Sequence, residues 1–203
     1  MSDKIMKLNR RIFLASGAAA TGLLAAPALA HKAADFVFPE EYQPKVVRTK
    51  IKYEPNEIHV DPNTFKLYWT LEKRQAIRYT VGVGRANLYH AGTFTVGAKR
   101  EWPRWIPTPA MIKRQPEQYE QFKDGVPGGI NNPLGARALY LYDENNRDTY
   151  LRIHGTNKPW TIGTAVSNGC ARLINDHAID LYNRVPLGTK VVLHEKTGEQ
   201  IVG

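Results

Sequence analysis

Beyond residue 45 the chain runs in short apolar segments separated by Gly, Pro, Asn or Asp. That spacing predicts strands, because a strand turns successive side chains to opposite faces and stops at such breakers. Residues 46–52 and 57–60 read as the first two. Phe65, Leu67 and Trp69 alternate with Lys66 and Tyr68, which predicts one buried face. Residues 78–83 and 93–96 read as two more, on either side of the glycine-bearing stretch 84–92. Residues 137–142 and 149–154 form a hairpin across the polar turn Asp143-Glu144-Asn145-Asn146, and 190–194 close the set. In the second arm of that hairpin, Tyr150, Arg152 and His154 share one face while Leu151 and Ile153 take the other.

Helices are few. Asn175 reads as the cap of a helix over 176–184, with Ile179 and Tyr182 facing the core and Pro186 beyond its end. A weaker helix is expected over 109–114. Between Trp102 and Gly135 the pattern lapses into a stretch rich in Pro, Gly and aromatic residues. Structureless loops of that length are usually functional or disordered. Its four prolines and two tryptophans before Tyr119 favour an ordered flap over a cleft. No internal repeat and no second domain is visible. The fold class expected is mostly β, sandwich or barrel-like, with one or two short helices and a long flap loop.

The first thirty residues do not share this pattern. Lys4, Lys7, Arg10 and Arg11 precede an Ala/Gly/Leu-rich run that ends in Pro27-Ala28-Leu29-Ala30, whose small residues suit signal peptidase. Asn9-Arg10-Arg11-Ile12-Phe13-Leu14 resembles a twin-arginine export signal. The run is diluted by Ser16, Gly17, Thr21 and Gly22, short of the roughly 20 apolar residues a spanning helix needs. The expectation is a signal peptide over 1–30, a lead-in that is extended or mobile over 31–45, and a catalytic domain over 46–196. Export implies the periplasm, with no stable membrane anchor after cleavage.

Removing that segment changes the charge. The full 203 residues carry 28 Lys+Arg and 19 Asp+Glu, a net +9; without four bases and Asp3, 24 and 18 remain, a net +6. In an exported protein this balance argues against nucleic acid and suits an anionic envelope polymer or a merely solvated surface. The composition, 42% hydrophobic and 10% aromatic, is that of a globular chain. One cysteine excludes intramolecular disulfides and Cys-rich metal sites. His59, His90, His177 and His194 lack metal-ligand spacing and read as surface or structural, so no metal and no cofactor is expected.

That cysteine lies in Ser167-Asn168-Gly169-Cys170-Ala171-Arg172-Leu173, downstream of Arg152-Ile153-His154-Gly155-Thr156. A lone Cys is as readily a small buried hydrophobe as a nucleophile. Small neighbours at Gly169 and Ala171, however, leave room for backbone amides to approach a ligand, where Gly169 and Cys170 would serve an oxyanion. A thiol is only a few per cent thiolate at neutral pH and needs a base or a cation, which His154 and Arg172 offer. Trp105 and Trp160 are weaker candidates for cleft walls, and Tyr140, Tyr142 and Arg152 for its floor. Gly82-Val83-Gly84 lacks the third glycine and the helix of a dinucleotide loop.

His-Gly-Thr followed by Ser-x-Gly-Cys-x-Arg-Leu, with the Cys sixteen positions after the His, resembles the signature of the L,D-transpeptidase catalytic domain, the YkuD-type family. The resemblance extends from Val46 to about His194. Tyr79-Thr80-Val81-Gly82-Val83-Gly84 and Gly92-Thr93-Phe94 fit loosely; Asn132-Pro133-Leu134-Gly135 and Tyr140-Leu141 fit the run leading to the catalytic strand. His90-Ala91 stands where members often have Thr-Pro, and Asn168 where many have His. The resemblance implies a mostly β cysteine acyltransferase acting on peptidoglycan stem peptides, with a donor tetrapeptide and an acceptor amine. It implies Cys170 as nucleophile, His154 as base, Gly169 and Cys170 as oxyanion amides, and Ser167, Gly155, Asn168 and Arg172 as supporting or substrate-binding residues. Resolution by an amine makes a 3–3 cross-linking transpeptidase, and resolution by water an L,D-carboxypeptidase. A non-catalytic wall-binding module with an incidental Cys170 is the rival from another class.

Overall fold

The computed structural model describes residues 37–196 and Ile201; the expected export segment and the start of the lead-in lie outside them. In chain order the elements are β1 (Lys45–Arg48), β2 (Ile58–Asp61), β3 (Lys66–Leu71), β4 (Gln75–Thr80), β5 (Val83–Gly84), β6 (Gly92–Glu101), α1 (Pro109–Arg114), α2 (Pro116–Tyr119), β7 (Arg137–Tyr142), β8 (Asp148–His154), β9 (Ala165–Ser167), β10 (Ala171–Arg172), α3 (Asn175–Arg184) and β11 (Lys190–Leu193). The fold is mostly β with few short helices, as the sequence pattern implies. Nine strands form one sheet in the order β1-β4-β3-β2-β11-β6-β7-β8-β10, while β5 pairs with β9.

The sheet curls back on itself. Just past β4, Gly82 exchanges backbone hydrogen bonds with Arg172 of β10, at 2.9 and 2.8 Å. This bridge gives the barrel-like closure and leaves β10 paired on both sides, with β8 and with Gly82. Inside lies one core built from alternate positions of nearly every strand, including Ile58, Val60, Leu67, Tyr79, Val96, Leu141, Ile153, Leu173 and Val191. At about 25 cal/mol per Å² of apolar surface removed from water, such burial is the main favourable term.

The alternation expected around β3 holds for Leu67 and Trp69, while Phe65, at φ 56° in the turn before the strand, packs partly buried against the same core. Tyr68, on the other face, is also fully buried, packed with Ala76 and Ile201 beside Val47 and Tyr53. A second covering layer, invisible in the local pattern, buries both faces. The lead-in is likewise docked at its end: Phe38 packs edge-on against Tyr42 and against His177 of α3, with ring centres 5.4 and 5.2 Å apart.

Helix α3 forms where expected, but it turns His177, Ala178 and Leu181 inward, while Ile179 and Tyr182 are only partly covered. Asn175 does not cap it. Ile174 holds the cap position, and the Asn175 amide oxygen instead accepts the Ala136 N–H at 2.9 Å, tying α3 to the entry of β7. Leu181 is 1% exposed at the interface of α3 with the sheet. Leu181→Ala is therefore expected to cost about 2–5 kcal/mol, measured as a lower midpoint in equilibrium urea unfolding.

Candidate active site

The hairpin β7–β8 places the site. Its register is regular from Ala138↔His154 to Tyr140↔Arg152, then shifts so that Tyr142 meets Asp148. The surplus residues bulge at Tyr150, which takes φ 62°, a left-handed conformation unusual for a non-glycine residue. Side chains hold the bulge. The Tyr150 N–H donates to Asp148 Oδ1 at 2.8 Å, and Thr149 Oγ1 donates to the Leu141 carbonyl at 2.6 Å. Arg152 clasps both Asp148 oxygens at 2.6 and 2.7 Å and lies over the Tyr140 ring. The strict alternation read from the sequence therefore holds only from Leu151 to His154.

Against this end of β8 runs β10, parallel, with Ala171 opposite Ile153 and Arg172 opposite His154. Ala171, Ile153 and Leu173 join the core, so Cys170, Arg172, Arg152 and His154 share the other face. Cys170 is half-buried at the floor of a cleft of about 970 Å³. Its Sγ lies 3.9 Å from the Tyr150 carbonyl, so the bulge aims a backbone oxygen at the thiol. Among the described residues no hydrogen bond joins the thiol to His154.

His154 is 4% exposed behind the thiol. Its Nδ1 is 2.5 Å from the Gly155 carbonyl, so Nδ1 carries the proton and Nε2 the lone pair. Burial, helped by the charges of Arg172 and Arg152, pushes its pKa down to about 3, and the ring is neutral. Burial also pushes the Cys170 thiol above its ordinary value; the Arg152 backbone N–H and the Arg152 and Arg172 charges pull the other way. Thiol and imidazole thus rest as a neutral pair.

Ser167 shapes the turn before Cys170. Its hydroxyl donates to the Cys170 carbonyl at 2.6 Å and accepts the Gly169 N–H at 3.1 Å. The Gly169 amide, expected at an oxyanion, here donates to Ser167. The Cys170 amide donates to no described residue. Gly169 is needed for its shape: at φ 125° a Cβ there would lie 2.9 Å from the Leu88 carbonyl oxygen. Gly155 plays a similar part, since a Cβ would strike the Asn175 amide oxygen that holds Ala136.

Arg172 is not part of the cleft lining, and its Nε is buried and unpaired among the described residues. Its reach is electrostatic, through Cys170 and His154. Trp105, Tyr140 and Arg152 do line the cleft, whereas Tyr142 does not and Trp160 is 60% exposed away from it. The flap is ordered over the cleft, contributing Arg104, Trp105, Ile106, Thr108, Met111 and Arg114. Trp105 anchors it, packed edge-on against Tyr119 and Phe122. Asn168 joins the flap to the Cys170 turn: its oxygen accepts from Arg114 at 3.0 Å and its nitrogen donates to Tyr119 Oη at 2.9 Å.

His90 also lines the cleft. His59 and His194, 135 positions apart, meet with Nδ1 and Nε2 2.9 Å apart, and Glu57 lies 3.1 Å from the other His59 nitrogen. No group of three or more His, Cys, Asp or Glu among the described residues is placed to hold a metal.

These environments set the pH response. An imidazole whose pKa falls on folding takes up a proton on unfolding, so its contribution to stability is complete above about 6.5 and is lost as pH falls towards 3 for His154 or 4 for His59. The thermal midpoint is expected to drop by several degrees between neutral pH and about 4; a flat profile contradicts the assignment. Alkylation of Cys170 by iodoacetamide should rise with pH to a midpoint above that of an ordinary thiol, moving higher still in Arg172→Gln, where one stabilising charge is gone.

Comparison with known proteins follows the same lines. The model of the YkuD family, the L,D-transpeptidase catalytic domain, matches residues 55–193. The probable L,D-transpeptidase ErfK/SrfK of Escherichia coli is 36% identical over 115 residues, covering 56% of this chain and 35% of that protein. The chain thus spans about a third of that relative's length. A putative L,D-transpeptidase of Fuscovulum blasticum is 32% identical over 201 residues, covering 91% of this chain and 96% of that one. Among solved structures, a Brucella melitensis protein named a probable carnitine operon oxidoreductase is 50% identical, with a TM-score of 0.52 over 78% of this chain and 96% of that chain. A family match over most of the chain, and a relative aligned over nearly its whole length, place this chain in the L,D-transpeptidase catalytic domain family.

Proposed function

We propose that the protein is a peptidoglycan L,D-transpeptidase that forms 3–3 cross-links through a thioester on Cys170. The observation that carries this reading is the Cys170 thiol lining the cleft, held on the same sheet face as a buried imidazole whose Nδ1 is anchored to the Gly155 carbonyl. Family membership supports the same chemistry.

In this mechanism a tetrapeptide stem enters the cleft beneath the flap. Cys170 attacks the carbonyl at the L-centre of the third residue as His154 Nε2 takes the thiol proton, the sulfur closing on the ring as the substrate seats. The Cys170 amide donates to the developing oxyanion. The imidazolium, formed at a site that disfavours charge, readily gives its proton to the departing amine of the terminal D-residue. An acceptor amine from a neighbouring stem then attacks the thioester, His154 taking its proton and Cys170 regaining one. One peptide bond is broken and one made, so no external energy source is needed.

Arg172 steadies the thiolate while opposing charge on His154, which keeps the base unprotonated before attack. The basic, Ala-rich N-terminus supports action outside the cytoplasm. Among the described residues no helix is long and apolar enough to cross a membrane.

The test incubates the full chain with a tetrapeptide-bearing disaccharide and reads products by mass spectrometry. Cross-linked dimers are expected; tripeptide alone would make water the acceptor and the protein a carboxypeptidase. Cys170→Ala should abolish turnover, and His154→Gln should lower it by about 10²–10⁴. Full activity in Cys170→Ala overturns the mechanism.

A further inference from the structure

The cleft has an uneven charge. Three guanidinium groups line it, from Arg104, Arg114 and Arg152, and no Asp or Glu is among its lining residues. Arg152 is neutralised, since both Asp148 oxygens close on its fork. Arg104 and Arg114 are not. Arg104 Nη2 donates to the Asp124 backbone carbonyl, and Arg114 Nη2 to the neutral amide oxygen of Asn168. Neither makes an ion pair with a described residue.

Arg114 is also oriented. Asn168 stands two residues before Cys170, and its amide is locked in direction because its nitrogen donates to Tyr119 Oη at 2.9 Å while its oxygen accepts from Arg114. One N–H of the guanidinium is therefore fixed to the nucleophile turn, and the remaining donors of Arg114 stay open. A planar fork with free donors matches a carboxylate, which accepts two parallel hydrogen bonds. Two exposed cations without counterions on one flap suit a ligand that brings negative charge. In a stem peptide that charge is carried by side-chain and terminal carboxylates.

Resting on the acyl-transfer reading above, we propose that Arg114, oriented by Asn168, and Arg104 form a carboxylate-recognition pair that makes the cleft select stem peptides with free side-chain carboxylates over the same peptides with those carboxylates amidated. Asn168 acts as a positioning residue through Arg114. The pair lies on the flap, outside the His-Gly-Thr and Ser-x-Gly-Cys-x-Arg segments, so it tunes which peptide enters without touching the reacting atoms.

The experiment measures equilibrium binding by calorimetry of two synthetic tetrapeptides, identical except that the side-chain carboxylates are free in one and amidated in the other. The protein is the full chain carrying Cys170→Ala, so binding is read without turnover. The free acid is expected to bind about tenfold more tightly, the scale of one charge-assisted hydrogen-bonded contact. That ratio should shrink as salt is raised and fall towards one when Arg104→Gln and Arg114→Gln are added. Equal affinity for the two peptides, or binding of neither, overturns the proposal even if the added substitutions prevent folding. A tenfold preference that survives in the folded double substitution also overturns it, because the selectivity would then lie elsewhere. Selective binding with no acylation of Cys170 in the unaltered chain would instead defeat the acyl-transfer reading and leave the carboxylate preference standing.

Discussion

The site depends on a very short parallel pairing. Two residues of β10 lie against the end of β8, with Ala171 beside Ile153 and Arg172 beside His154. On the other side, the same Arg172 exchanges both backbone bonds with Gly82. An isolated two-residue strand has too few bonds to hold itself. This one is fixed because both of its edges are occupied and because Ala171 and Leu173 sink into the core. Closing the barrel and presenting the cysteine are therefore one structural event. The bridge that seals the sheet also brings thiol, imidazole and two arginines to a single face.

That arrangement sets opposing electrostatic demands. Burial disfavours both the thiolate and the imidazolium, while Arg152 and Arg172 favour the first and oppose the second. The result is a resting pair without charge, with the imidazole tautomer chosen by a backbone carbonyl and not by a carboxylate. A neutral imidazole remains ready to accept a proton, and once protonated it loses that proton easily. The bulge at Tyr150 belongs to the same design. It bends the strand where the sulfur sits and directs a carbonyl at it, secured by Asp148 and Thr149.

Much of this was legible in the sequence, for reasons that differ by element. The β7–β8 hairpin was readable because alternation and a polar turn agree. The residues of the Cys170 turn were readable because Ser167, Gly169 and Cys170 stand together in the chain. The Tyr150 bulge was not, since a tyrosine in the left-handed region leaves no mark in the pattern. On α3 the small Ala178 and polar His177 are buried without standing out in the pattern, whereas the more conspicuous Ile179 and Tyr182 are only partly covered, Tyr182 packing against the core. The bond from the Gly169 amide to the Ser167 hydroxyl is set by folding, and spacing does not show it. The His59–His194 pair and the contact between Arg114 and Asn168 join distant segments, and no local pattern encodes them.

The central claim is that Cys170 carries the acyl group. The most direct measurement is acid-quenched mass spectrometry of the full chain within the first turnovers on a tetrapeptide donor, followed by peptide mapping. The account predicts a mass gain equal to the tripeptide acyl group, confined to the fragment containing Cys170 and labile to hydroxylamine as a thioester is. Turnover with no adduct on that fragment, or with the adduct on another residue, contradicts it.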